Sequence, residues 1–241
     1  MQINQFFYKI FLIGKSDAPA AFLGTAFPIT PNGGLLTCRH VVEVEKRNDE
    51  IHIAIFDNEL NLFKPINQVL YSSLPGFDLA FLPNALNRTK QAYFPILSPE
   101  KLIIGEDIYS FGYYSIDKDP NQVTQGYFAG HIVNISPMSN IIAPNITLPY
   151  PLLEGMSGSP VLTYHNGPKV VGVGCENRQH RISISEVLEY KDSQREYKES
   201  INRIVEYGLA YHPISIMAFL SSININDFLV SEKGEQIPGL E

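Results

Sequence analysis

Apolar residues in this chain come in short runs, often alternating with polar ones, between clusters of Gly, Pro, Asn and Asp. The runs fall at 6–14, 21–29, 34–37, 51–56, 79–82, 108–112, 124–135, 159–163, 170–175 and 208–211. Short runs bounded by turn formers predict strands, and this many of them predict an all-β sandwich or a pair of barrels. Helical periodicity is scarce. The segment 213–220 (PISIMAFL) has Pro at a first helical turn and Ile214, Met217 and Ala218 on one stripe, which predicts a closing helix at about 213–222. Between Arg178 and Glu206, 12 of 29 residues are charged, six of each sign, which marks a local insertion. Within it Tyr197, Ile201, Ile204 and Val205 fall at i, i+4, i+7 and i+8, and Glu199 precedes Arg203 by four. That spacing predicts a surface amphipathic helix.

A length of 241 residues allows one all-β domain or two small ones, and 17 Gly, 17 Pro and 18% charged residues are ordinary for a globular chain. The net charge of −7 repels phosphate backbones, so sequence-independent nucleic-acid binding is disfavoured. Cys38 and Cys175 are 137 residues apart, form no Cys-x-x-Cys motif, and read as free thiols. The first 14 residues (MQINQFFYKIFLIG) carry neither a basic leader nor a small-residue cleavage site, and Lys9 interrupts an apolar run too short for a bilayer. A cytoplasmic protein without membrane association is expected. Repeats and Gly/Ser linkers are not obvious, and the Pro/Asn/Asp-rich stretch 82–99 is the best crossover between two lobes.

The strongest local chemistry is Glu154-Gly155-Met156-Ser157-Gly158-Ser159-Pro160, followed at once by the apolar pair Val161-Leu162. Glycines around a serine permit a tight turn in which the amides of Gly155 and Ser157 point into one cavity, the arrangement of an oxyanion hole. The alternative is a plain Gly/Ser hairpin loop. A serine nucleophile needs a base, and the base an orienting acid. Of six histidines, His40 in Leu35-Leu36-Thr37-Cys38-Arg39-His40-Val41-Val42 alone sits framed by apolar strand residues. Asp78 immediately precedes the apolar run Leu79-Ala80-Phe81-Leu82, where a carboxylate needs a hydrogen-bonding partner. The Nδ1–H of His40 would serve.

The order His, Asp, Ser, with a glycine two before the serine, resembles that of the chymotrypsin-like (trypsin-like) serine proteases. The segments 24–30, 35–42, 78–82, 105–113, 123–133, 170–174 and 207–220 resemble the bacterial HtrA-type branch, so the likeness runs from about Phe22 to Leu220. It implies one peptidase unit over 1–240, built as two six-stranded antiparallel β-barrels. Barrel one would span about 5–90 and barrel two about 91–211, carrying an insertion at about 178–206. The family's roles, carried over, make Ser157 the nucleophile, His40 the general base and then acid, and Asp78 the group that fixes the imidazole tautomer. The implied activity is that of a serine endopeptidase acting through an acyl-enzyme on a protein or peptide. No metal or organic cofactor is implied.

Departures from the family pattern carry their own expectations. Met156 replaces the aspartate that pairs with a new N-terminus in digestive members, so activation by N-terminal trimming is not expected. The disulfides of secreted members are absent. By carry-over the pocket base lies near Pro151, its wall near Gly208, and its entrance near Glu154 and Glu176, with Cys175 on the strand that lies along substrate. No aspartate stands at the base to select Lys or Arg, though the two glutamates can favour basic neighbours or simply face water. A thiol at Cys175 is either a buried small side chain or a place where oxidation is felt. The charged insertion lies between the strands that frame the pocket, where it either gates access, receives a regulatory partner, or is only a solvated surface. About 20 residues follow the resemblance, too few for the roughly 100-residue PDZ domain of HtrA-type proteins. A silent protease-like module that binds a peptide strand at a sheet edge is the competing class. The α/β-hydrolase pattern lacks its last glycine here, and no His-Glu-x-x-His cluster supports metal hydrolysis.

Overall fold

Alternating apolar side chains pair the N-terminal half of the chain into one antiparallel sheet. In this computed structural model, which describes residues 6–14, 18–43, 52–72, 76–86, 92–136, 143–192 and 195–225 (backbone only for 185–192 and 195–199), seven strands form it. They are β1 (Tyr8–Ile13), β2 (Pro19–Pro28), β3 (Leu35–Cys38), β4 (His52–Asp57), β5 (Leu62–Pro65), β6 (Leu70–Tyr71) and β7 (Leu79–Leu82), in the order β5-β4-β1-β2-β3-β7-β6. A four-residue helix, α1 (Arg39–Val42), follows β3 directly.

The second sheet contains β8 (Asp107–Tyr114), β9 (Thr124–His131), β10 (Asn134–Ser136), β11 (Asn145–Leu148), β12 (Pro160–Tyr164), β13 (Pro168–Asp192) and β14 (Arg195–Tyr211). Their order is β10-β11-β14-β13-β12-β8-β9. The all-β class expected from the sequence holds, with seven strands in each sheet rather than six. Short strands such as β5, β6 and β11 carry too little alternation to be read in isolation.

Among the described residues between Arg178 and Glu206 the expected helix is absent. In its place β13 and β14 run on as a two-stranded ribbon, pairing Arg181 with Ile204, Ile182 with Arg203 and Ser183 with Asn202. β-Branched residues such as Ile182, Ile184, Ile201, Ile204 and Val205 favour a pleated strand, and the ribbon supplies the cross-strand neighbours that such strands need. The i, i+4, i+7 spacing is a coincidence within one strand of a hairpin. Residues 176–184 and 200–206 lie mostly exposed, so the ribbon stands clear of both sheets.

Burial joins the sheets. The larger core runs from Phe7, Phe27 and Leu36 of the first half to Leu162, Val170 and Val173 of the second. Phe7 stacks on Phe94 at 5.7 Å and on Phe111 at 5.4 Å, bridging the halves with three rings. Residues 94–97 of the crossover stretch are bonded to both halves: Phe94 N–H donates to Pro28 O, and Leu97 N–H donates to Val170 O. A second core, with Ile146, Leu148, Leu152, Met156 and Val161, fills the C-terminal sheet. The closing helix, α2 (Pro213–Ser222), has the expected bounds but a different buried stripe. Ile216, Phe219 and Leu220 are buried while Ile214 and Ala218 are exposed, because the set with the phenyl ring removes more apolar area from water. The helix docks back on the first half, with Phe219 beside Phe77 and Ser222 Oγ bonded to Ser72 Oγ at 2.8 Å. No helix among the described residues is long and apolar enough to cross a membrane.

Candidate active site

His40 and Asp78 meet because β3 and β7 are antiparallel neighbours. Cys38 at the end of β3 pairs with Leu79 at the start of β7, so the residues just beyond these ends face each other. Arg39 N–H donates to Asp78 O at 3.1 Å, and His40 N–H donates to Asp78 Oδ1 at 2.9 Å. His40 Nδ1 lies 2.5 Å from Asp78 Oδ2. A carboxylate held by a backbone amide through one oxygen, and facing the imidazole with the other, favours the tautomer with its proton on Nδ1. The pair is open to solvent, with 49% of the His40 and 37% of the Asp78 side chain exposed.

Tyr211, at the end of β14, braces this corner from the second sheet. Its hydroxyl accepts from Asp78 N–H at 2.7 Å and leans toward Gly76 O at 3.4 Å. Burial pushes the Tyr211 phenol well above its usual range, so it stays a neutral hydrogen-bonding group.

The serine loop is bound to the first sheet through Thr25. Thr25 N–H donates to Ser157 O at 3.0 Å, while Thr25 Oγ1 donates to Gly155 O at 3.1 Å and accepts from Tyr113 N–H at 3.0 Å. Thr37 Oγ1 in turn donates to Thr25 O at 2.7 Å. Gly155 (φ +94°) and Gly158 (φ +84°) take left-handed conformations that glycine alone adopts freely. There is no room for a Cβ at either place. At Gly155 it would run into the Phe22 ring, and at Gly158 into Thr25 O and Thr37 Oγ1. A Cβ on Gly24 would touch both Val41, next to His40, and Ser157 O, so one glycine separates the histidine helix from the serine loop.

Within that loop Met156 N–H, Gly158 N–H and Ser159 N–H are bonded to Leu153 O, Gly174 O and Met156 O. Among the described residues the amides of Gly155 and Ser157 donate to nothing, which leaves these two free for an outside acceptor. Ser157 is half-buried, and its Oγ makes no hydrogen bond to His40 among the described residues. Catalytic pairs are commonly long until substrate closes them.

Ser159 Oγ is buried without a partner among the described residues, pressed toward Gly112. An unpaired buried hydroxyl costs about 1–3 kcal/mol, so Ser159→Ala is expected to raise stability by about 1 kcal/mol in urea unfolding. A lowered midpoint would contradict this reading of the hydroxyl.

The other residues singled out in the sequence lie on the second half of the chain, at the serine loop and on β13 and β14. Pro151 is half-buried, and Gly208 is buried with its N–H donating to Tyr150 O at 2.8 Å. The buried Leu152 packs against the paired strands β13 and β14, near enough that a Cβ on Gly174 or Gly208 would come within 3.1 Å or 2.9 Å of it. Glu154 is exposed with Lys118 Nζ at 3.8 Å, and Glu176 is exposed with Arg178 Nε at 2.7 Å. Both rim charges are thus partly answered by cations of the chain itself. Cys175 Sγ donates to Leu209 O at 3.3 Å, and burial pushes its thiol up to about 12, which keeps it protonated near neutrality. Met156 is fully buried. Sequence reasoning misses Thr25, Tyr211 and Leu152. For Thr25 a signal is present, a hydroxyl in an otherwise apolar strand beside Gly24. For Tyr211 and Leu152 there is none, because their contacts are long-range.

Two antiparallel β-sheets, with a His–Asp pair on one and a glycine-flanked serine loop on the other, are the architecture of trypsin-like peptidases. A family model described as the trypsin-like peptidase domain matches residues 24–173, and the chain belongs to that family. No curated protein matches the sequence. Among solved structures, the chain is similar in fold to the HtrA-type protease AlgW in complex with a decapeptide, at 15% identity and TM-score 0.55. That match covers 91% of this chain and 63% of AlgW, so the chain spans less than two thirds of AlgW's length. It is also similar to protease Anisep from Arthrobacter nicotinovorans, at 13% identity, TM-score 0.57, and coverage of 91% and 96% of the two chains. The thermostable serine protease AL20 from an extremophilic microorganism matches at 11% identity and TM-score 0.56, covering 92% of this chain and 98% of the other.

Proposed function

We propose that the protein is a serine endopeptidase in which Ser157 attacks a peptide carbonyl, His40 takes the serine proton and returns it to the leaving amine, and Asp78 holds the imidazole. Water then releases the acyl-enzyme with His40 again as base. The observation that carries the reading is the His40–Asp78 pair, 2.5 Å between Nδ1 and Oδ2, on the same frame that Thr25 shares with the serine loop. The uncommitted amides of Gly155 and Ser157 support an oxyanion hole. A fluorophosphonate probe tests this. Labelling of the wild type that disappears in Ser157→Ala requires an activated serine. Absence of labelling would leave a peptide-binding module as the better account.

Peptide or protein is the substrate class, in keeping with the family. With no acid beside Pro151, and with the wall residue Gly208 backed by the buried Leu152, an apolar side chain next to the scissile bond is favoured over Lys or Arg. Regulation through the ribbon is part of the proposal, since it is rooted at Glu176–Arg178 and Tyr207–Gly208, where the pocket strands end. Deleting residues 179–203 leaves Ile204, Val205 and Glu206 as a turn between the paired Arg178 and Tyr207. The deletion is expected to leave the unfolding midpoint nearly unchanged, because a lone two-stranded ribbon adds little stability, while changing the peptidase rate or its response to a partner. Unchanged rates and unchanged regulation would remove the ribbon from the mechanism.

A further inference from the structure

Beneath the exposed His40–Asp78 pair lies a thiol. Cys38 Sγ, a ring nitrogen of His40 and a carboxylate oxygen of Asp78 all lie within 4.8 Å of one another. Cys38 is fully buried at the end of β3, so the thiol forms the floor of a small site whose open sides are the imidazole and the carboxylate. Cys175 is near as well: Cys38 Sγ donates to the carbonyl of Gly174, the residue before it.

A thiol, an imidazole and a carboxylate so placed are the donor set of a borderline-soft divalent cation. Tetrahedral zinc holds S, N and O ligands at about 2.0–2.3 Å, which puts ligand atoms roughly 3.5 Å apart, so the thiol closes by about 1 Å while His40 Nδ1 and Asp78 Oδ2, 2.5 Å apart, open by about as much to admit the ion. Turning the thiol toward a cation leaves Gly174 O paired, because Gly158 N–H donates to it at 2.8 Å.

We propose that Cys38, His40 and Asp78 form a Zn²⁺ site, and that the bound ion silences the base. The coordination step is balanced. Zinc takes the sulfur lone pair, and the thiol proton leaves to buffer, since a coordinating thiol is deprotonated. It also takes the lone pair at His40 Nδ1, the nitrogen that faces Asp78, so the ring's single proton moves to Nε2. Asp78 exchanges a hydrogen bond for a metal bond. One proton is released per ion, and Nε2 now carries a hydrogen where an accepting lone pair is required. The binding half stands on the three residues alone, whereas the silencing half rests on the proposed serine-protease mechanism.

Binding is tested in the Ser157→Ala chain, so that turnover plays no part. Titration with Co²⁺ is expected to produce a thiolate-to-cobalt charge-transfer absorption that Zn²⁺ displaces. Cys38→Ala and Cys38→Ser in that background are expected to lose the band and to bind Zn²⁺ more than about tenfold less tightly. In the chain with Ser157 intact, Zn²⁺ is expected to stop peptide hydrolysis and a chelator to restore it. The ratio of rates with and without Zn²⁺, which cancels changes in basal rate, is expected to approach one in either Cys38 variant. Cobalt binding without a Cys38-dependent band, or a rate ratio unaltered in both variants, overturns the proposal. A Cys38-dependent band in a chain that neither takes the fluorophosphonate nor cleaves peptide would instead remove the protease reading and leave the metal site standing.

Discussion

Ser157→Ala is expected to lower peptidase kcat by a factor on the order of 10⁶, the scale on which loss of an activated serine is felt in triad enzymes. The expected result includes an unchanged fold, because the Ser157 hydroxyl makes no hydrogen bond among the described residues that the variant would lose. The backbone of that residue carries the structural role, its carbonyl accepting from Thr25 N–H. Activity that persists in Ser157→Ala, measured on a quenched-fluorescent peptide library with purified protein, would place the nucleophile elsewhere. A large loss accompanied by a lowered unfolding midpoint would report on folding and not on chemistry, so thermal unfolding belongs in the same experiment. Mass-spectrometric comparison of cleavage products from the wild type and this variant would also read the substrate preference directly.

Asp78→Asn is expected to lower kcat on the order of 10⁴-fold, with KM little changed. The amide keeps the size of the carboxylate, so the hydrogen bond from His40 N–H survives at the oxygen that now receives it. What changes is the other position. An amide nitrogen facing Nδ1 donates where the carboxylate accepted, which favours the proton on Nε2 and leaves no lone pair for the serine proton. It also removes the negative charge that stabilises the imidazolium. A loss of less than about tenfold would show that Asp78 is structural. Tyr211→Phe separates positioning from chemistry. It leaves Asp78 N–H without its 2.7 Å acceptor and is expected to cost about 1–3 kcal/mol of stability and part of kcat, but not to invert the tautomer.

Much of the site is legible in the sequence because its chemistry is written locally. Gly155 and Gly158 flank Ser157 where the chain takes positive φ, and a glycine in such a turn is a backbone requirement visible in one dimension. His40 and Asp78 are readable as polar residues at the ends of apolar strands, and strand ends are where a sheet presents side chains without burying them. The ribbon escapes the same local reading. Helical and extended spacings overlap over a dozen residues, and only the partner strand decides between them.

Patterning, turn chemistry and residue type are enough to read the all-β class and the closing helix, and to single out His40, Asp78 and Ser157 as candidates. Whatever depends on distant neighbours is visible only in the folded chain. The fold placed Thr25 between the halves and Tyr211 behind Asp78, drew 178–206 out as a ribbon, and set Leu152 against Gly174 and Gly208. It also turned Cys38 from a solitary thiol into the floor beneath a histidine and an aspartate. Contacts between residues far apart in the chain arise from how two packed sheets fill their shared core, and that filling is a property of three-dimensional burial with no counterpart in local periodicity.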